Sequence, residues 1–202
     1  FERPWAGATG QSVDADLSGG LGLSRPEGVV LTALHRASPL AQAGMSVGDV
    51  VIDVAGQPVN TPAEMVFRMS VQGLGETVEM TYLRNGEPVI ATVHLIAPPE
   101  DPPRDALKLE EREILTGLHV ARINPAVTAE LGLPMDADGV VVVDAGQLGR
   151  RVGLQKGDII RAIDRIRIEH PSHVGPALRR AAPNIAIQAE RNGQRLLLRF
   201  RA

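Results

Sequence analysis

One stretch of seventeen residues occurs twice, and that repeat limits what this chain can fold into more than any other feature. Ala43-Gly44-Met45-Ser46-Val47-Gly48-Asp49-Val50-Val51-Ile52-Asp53-Val54-Ala55-Gly56-Gln57-Pro58-Val59 returns as Val152-Gly153-Leu154-Gln155-Lys156-Gly157-Asp158-Ile159-Ile160-Arg161-Ala162-Ile163-Asp164-Arg165-Ile166-Arg167-Ile168, displaced by 109 positions (157 minus 48). Both copies read as a Gly-apolar step, a Gly-Asp turn and an alternating apolar strand. Gly supplies positive φ, and Asp can hydrogen-bond the backbone just ahead of it. A period near one hundred residues in a chain of 202 divides it into two small domains of one kind.

The flanking segments keep the same period. Ser12 to Leu23 reads as a short helix stopped near Gly22, and Arg122 to Leu133 reads likewise, stopped near Gly132. Glu27-Gly28 and Asp138-Gly139 are turns, each feeding a buried strand. Ser38-Pro39 is a helix start with Ser at the cap and Pro in the first turn, which the second copy, Gln147 to Gly153, lacks. Thr61-Pro62-Ala63-Glu64 is a capping box, opening a helix that carries Met65, Val66, Met69 and Gln72 along one side. Its counterpart, His170 to Leu178, holds Gly175 and Pro176, which cost about 1 and 3 kcal/mol inside a helix, so this helix is short or begins later. Each half ends in a hairpin closed by Asn-Gly, at Asn85-Gly86 and at Asn192-Gly193. Residues 98–105 form a stiff Pro-rich linker, and the charged stretch Asp105 to Ile114 is a candidate helix.

Aromatic residues are only 2% of the chain, so the cores are built from Val, Ile, Leu, Met and Ala. Few platforms remain for stacking bases, which argues against nucleic acid as a partner. The net charge of −3 hides an asymmetry: residues 1–100 hold 5 Lys and Arg against 11 Asp and Glu, while residues 101–202 hold 16 against 13. The second half's arginines, among them Arg161, Arg165, Arg167, Arg191, Arg195, Arg199 and Arg201, alternate with apolar residues as the exposed face of strands does. Cysteine is absent, which removes disulfide and thiol chemistry. No run of about 18 apolar residues is present, and the opening Phe1-Glu2-Arg3-Pro4 reads as a cut from a longer protein.

The repeated stretch resembles the signature of PDZ domains, AGL-x-x-GD-x-I-x-x-I-x-G-x-x-V. Trp5-Ala6-Gly7-Ala8 resembles the x-φ-G-φ loop with which such domains hold a peptide carboxylate, and Leu115-Thr116-Gly117-Leu118 takes its place in the second half. Having this loop ahead of the signature, with Arg3-Pro4-Trp5-x-Gly7 and Ser38-Pro39-Leu40-x-x-Ala43-Gly44, is similar to the circularly permuted PDZ domains of bacterial HtrA/Deg proteases. Ala6 and Ala8 depart from the larger apolar residues usual there, which implies a roomier or shallower pocket.

The resemblance implies an α+β, mainly β fold: two circularly permuted PDZ domains, partly open β-barrels or sandwiches capped by helices, at 1–97 and 106–202. It implies a regulatory module that recognises apolar C-termini or unfolded segments by strand addition, within a periplasmic serine endopeptidase whose protease domain is absent from this sequence. Trp5, Ala6, Gly7 and Ala8 would hold the carboxylate through converging amides; Thr9, Gly10, Gln11, Val13, Met65, Val66 and Met69 would line the groove. The three helix residues could equally belong to the core. In the second domain the matching set is Leu115, Thr116, Gly117, Leu118, Val174 and Leu178. The implied partners are peptides or unfolded proteins, the protease domain and further copies in a trimer-based oligomer, with no cofactor, metal or nucleic acid. A spacer or oligomerisation element without ligand, or the PDZ pair of another protease or secretion component, stands as the alternative.

Chemistry outside that resemblance finds little support. Asp16-Leu17-Ser18-Gly19-Gly20 is similar to a serine-protease box, but Leu17 separates acid from Ser and every His follows it, so a turn is expected and no catalytic residue is assigned. His170 and His173 would need further ligands to hold a metal.

Overall fold

The computed structural model describes residues 3–202; Phe1 and Glu2, which the sequence assigns to the first domain, lie outside the described residues. The chain divides into two compact units, Phe1–Pro99 and Glu100–Ala202. Each is an open antiparallel sheet with a few short helices.

In unit 1 the elements are β1 (Ala8–Ser12), α1 (Ala15–Gly20), β2 (Val29–Leu34), α2 (Pro39–Gln42), β3 (Val50–Val54), β4 (Gln57–Pro58), α3 (Pro62–Gln72), β5 (Thr77–Arg84) and β6 (Glu87–His94). The sheet runs β1-β2-β3-β5-β6, with β4 beside β3. Trp5 N–H donates to the Ile96 carbonyl at 2.8 Å, so the unit's chain leaves where it entered, as a permuted fold requires. The capping box forms: Thr61 Oγ1 accepts from Glu64 N–H at 3.1 Å, and Glu64 reaches back to Asn60 N–H at 2.9 Å.

In unit 2 the elements are β7 (Leu107–Lys108), β8 (His119–Arg122), α4 (Pro125–Leu131), β9 (Val140–Asp144), α5 (Gly146–Arg151), β10 (Ile159–Ile163), β11 (Ile166–Arg167), a 3-10 turn (Pro171–His173), α6 (Val174–Ala181), β12 (Asn184–Arg191) and β13 (Gln194–Arg201). The sheet order is β13-β12-β10-β9-β8-β7. Helix α6 begins only at Val174, which puts Gly175 and Pro176 in its first turn, where a missing N–H costs nothing.

The Gly-Asp step of the repeat does the same work in both units. Asp49 is 4% exposed; its carboxylate accepts from Ser46 N–H at 2.7 Å and from Arg84 Nε and Nη2 at 3.0 and 2.7 Å. Arg84 also donates to the Gly44 carbonyl at 2.8 Å, tying the turn to the tip of the β5–β6 hairpin. Asp158, Gln155 N–H, Arg191 and the Gly153 carbonyl repeat this clamp, at 2.7–2.8 Å throughout. The ion pair raises the affinity of both guanidinium groups for their proton. Arg191 therefore belongs to the scaffold and not to a solvated arginine face, and Arg161, bound to Asp138 and Glu190, does too.

Two expectations for the middle of the chain change. Residues 100–104 pack on unit 2: Asn124 Nδ2 donates to Glu100 and to the Pro102 carbonyl at 2.7 and 2.8 Å, and Arg104 pairs with Glu130 at 2.7 Å and with Glu100. Arg104 holds both glutamates below their usual carboxylate range. The candidate helix at 105–114 is instead strand β7 followed by turns. Its two leucines, Leu107 and Leu109, are two apart, and the pairing they find is along the edge of β8 and the residue before it.

Candidate functional site

In unit 1 the strand that opens the fold is also an edge. Among the described residues β1 pairs with β2 alone, and α3 runs along its other side. Gly10 lies near the start of that helix: a Cβ there would sit 3.7 Å from Pro62 Cγ. His35 N–H donates to the Gly7 carbonyl at 2.8 Å, which makes Ala8–Leu34 a non-hydrogen-bonded pair. In such a pair the N–H and C=O of Ala8 point away from β2, into the open edge. Val13 N–H donates to the Gly28 carbonyl and gives Ser12 the same orientation. The edge therefore offers main-chain groups at alternate residues beside a helix.

The loop leading into it is held from behind. Gly7 has φ +59, and a Cβ there would come within 2.9 Å of Ser38 Cα and 2.8 Å of the Trp5 ring. Only glycine fits. Ser38, fully buried, caps α2 by accepting from Leu40 and Ala41 N–H at 3.1 and 3.3 Å while its hydroxyl donates to the Ala6 carbonyl at 2.6 Å. Trp5 stands edge-on to the His35 ring, centroids 5.3 Å apart. With these carbonyls turned inward, the N–H groups of Ala6 and Gly7 have no acceptor among the described residues. Successive free amides of this kind form an anion-binding nest.

The remaining expected groove residues separate. Thr9 and Gln11 are exposed, Ala8 is half-buried against the core, and Val66 on α3 is half-buried as well. Met65 and Met69, 2% and 0% exposed, face the core with Leu31, Val51 and Met80, because they lie on the helix face turned to the sheet. Val13 follows the end of β1 and packs with Val30, Val50, Leu17 and Leu21 in a separate cluster. Sequence reading missed the service of Ser38 to the loop. Its cap was legible from Ser-Pro, but its bond to Ala6, 32 residues away, was not.

Unit 2 carries the same edge already filled. β7 pairs antiparallel with β8, Leu107 opposite Val120 and Lys108 opposite His119. Gly117 N–H donates to the Leu109 carbonyl at 2.8 Å, Leu109 N–H to the Leu118 carbonyl at 2.9 Å, and Arg122 N–H to the Arg104 carbonyl at 2.6 Å. Leu118 N–H is bound to the Leu115 carbonyl, so two of the four expected loop residues have their amides engaged within the chain. Thr116 Oγ1 donates to the Glu113 carbonyl. Leu115, Leu118, Val174 and Leu178 are buried in one cluster with Leu109, which is 4% exposed. Where Ser38 backs the loop in unit 1, Gly146 does so here: its φ is +62, and a Cβ would lie 2.7 Å from the Gly117 carbonyl.

Other candidates resolve as local structure. Ser18 Oγ donates to the Ala15 carbonyl inside α1, and the His170 ring nitrogens meet Ser172 and Asp105.

An open sheet of permuted order, a glycine loop with free amides and a strand edge beside a helix define a domain of the PDZ class. The PDZ domain family matches residues 9–95 and again residues 139–191, and the chain belongs to that family as two PDZ domains in tandem. Its relatives include a probable periplasmic serine endoprotease, DegP-like, of Marinomonas sp. strain MWYL1, 29% identical over 168 residues, 82% of this chain and 35% of the relative. The periplasmic pH-dependent serine endoprotease DegQ of Escherichia coli K12 is 26% identical over 201 residues, all of this chain and 42% of the relative. Among solved structures, the HtrA-type protease AlgW with decapeptide matches at 26% identity and a TM-score of 0.44, over 48% of this chain and 30% of that one. The chain thus spans 35% and 42% of these two relatives' lengths.

Proposed function

We propose that this tandem is the regulatory part of an HtrA-type periplasmic serine endopeptidase, and that unit 1 captures apolar C-termini or unfolded segments by strand addition. The observation that carries the reading is the open outer edge of β1, continuous with the free amides of Ala6 and Gly7 and flanked by α3. A peptide lying antiparallel to β1 bonds Ala8, Gly10 and Ser12, brings its carboxylate to the loop and its last side chain against Ala8 and Val66. Occupancy then biases the protease domain, or the trimer-based oligomer, toward whichever state binds peptide better.

The test is fluorescence anisotropy with a set of apolar-ended peptides, each made with a free and an amidated C-terminus. Charge-assisted bonds to a carboxylate are worth about 1.5–3 kcal/mol, so amidation weakens binding by roughly tenfold to a hundredfold. Amide shifts at Ala6, Gly7 and Ala8 accompany binding. Equal affinity of the two forms, or no binding by any peptide, overturns the reading.

A further inference from the structure

In unit 2, the segment from Arg104 to Glu113 lies where a captured peptide would lie. It is antiparallel to β8, its Leu109 carbonyl receives the loop amide of Gly117, and the Leu109 side chain is buried with Val174 and Leu178 of the helix wall. Both of its ends are tied to that wall: Asp105 meets His170 at 3.0 Å, ahead of α6, and Glu113 meets Arg179 at 2.6 Å, in its last turn. The segment thus runs the length of the groove between β8 and α6. It is not relaxed there. Asp105 and Arg112 have φ of +43 and +100, conformations that residues with a Cβ adopt only when their surroundings impose them.

We propose that residues 104–113 are the resident ligand of unit 2, a tethered strand that closes its peptide site until it is withdrawn. Free peptide is then captured at unit 1, and unit 2 becomes a second capture site only in the released state. What it takes up on release has the chemistry of the segment it loses: leucine at alternate positions, with carboxylates at the ends to meet His170 and Arg179. The inference goes beyond the function assigned to unit 1 and is drawn from contacts within unit 2 alone, so either can fail without the other.

The test uses the whole chain, isotope-labelled, with the hexapeptide Arg-Asp-Ala-Leu-Lys-Leu (residues 104–109, free C-terminus) as probe. In the unaltered chain the amides of Leu109, Gly117 and Arg122 exchange with solvent at least about a hundredfold more slowly than an open turn, and the hexapeptide leaves β8 resonances unmoved. In the double variant D105A/E113A, which alters no buried side chain, exchange at Leu109 and Gly117 quickens several-fold. In L109P, which removes both the N–H donor and the buried leucine, the hexapeptide shifts Gly117 to Arg122 while the amides of β10 and β12 stay protected. Fast exchange at these three amides in the unaltered chain, or binding of the hexapeptide along β8 there, overturns the proposal. So does a folded L109P chain that ignores the hexapeptide, or a D105A/E113A chain with unchanged exchange. Should L109P unfold, the unaltered chain and the double variant decide.

Discussion

Replacing Ser38 by alanine tests how the carboxylate loop of unit 1 is held. The hydroxyl has two tasks. As a cap it accepts from Leu40 and Ala41 N–H, and losing a cap costs about 1 kcal/mol. As a donor it satisfies the buried Ala6 carbonyl at 2.6 Å, and an orphaned buried acceptor costs about 1–3 kcal/mol. The sum is about 2–4 kcal/mol. For a domain near one hundred residues, each kcal/mol lowers the melting temperature by about 4–8 °C, so the unit 1 transition should fall by at least about 8 °C in calorimetry. Asp14→Ala is the control: it removes an exposed cap that accepts from Leu17 N–H and makes no other side-chain hydrogen bond among the described residues, so its shift stays at about 5 °C, for a loss of about 1 kcal/mol. Peptide affinity should fall in Ser38→Ala and hold in Asp14→Ala. Equal shifts in the two variants, with affinity unchanged in both, would refute the claim that Ser38 fixes the loop.

Gly146→Ala should destabilise unit 2 by more than about 2 kcal/mol, since a left-handed φ alone costs about 1–2 kcal/mol and its Cβ would also press on the Gly117 carbonyl. Gly157→Ala, at φ +92 with open space around it, isolates the backbone part; equal urea midpoints for the two variants would show that the loop yields freely. Arg104→Met should lower stability at neutral pH. Because Glu100 and Glu130 have folded pKa values below normal, the stabilisation they share with Arg104 is complete above the ordinary glutamate range, about 4.3, and is lost as pH falls through their folded values. The gap between Arg104→Met and the unaltered chain should therefore close in acid, and a gap unchanged at about pH 2.5 would show that packing, not charge, holds the segment.

The repeat made most of the fold legible, because turn glycines, caps and Asn-Gly hairpins act within a few residues of themselves. α3 starts at the capping box, and both hairpins close where Asn85-Gly86 and Asn192-Gly193 place them. What stayed hidden depends on distant neighbours. The face on which Met65 and Met69 lie was open until the sheet was in place, since spacing along a helix marks a side without saying what it meets. The arginine alternation looked like a solvated face, yet Arg191 reaches Asp158, 33 residues away, and Arg161 reaches Glu190, 29 away. β7 escaped for a related reason. Two leucines carry no period of their own, and a strand this short exists only because β8 leaves an edge to pair with.

The clasp of β7 on β8 has a quantitative corollary for any competitor. A strand joined to its site by a few residues is never dilute: short flexible tethers correspond to effective concentrations in the millimolar range. A free peptide of equal intrinsic strength would have to be crowded to that level to displace it. Traction on the linker, or a contact that holds residues 104–109 elsewhere, would lift the same barrier with no peptide gradient at all.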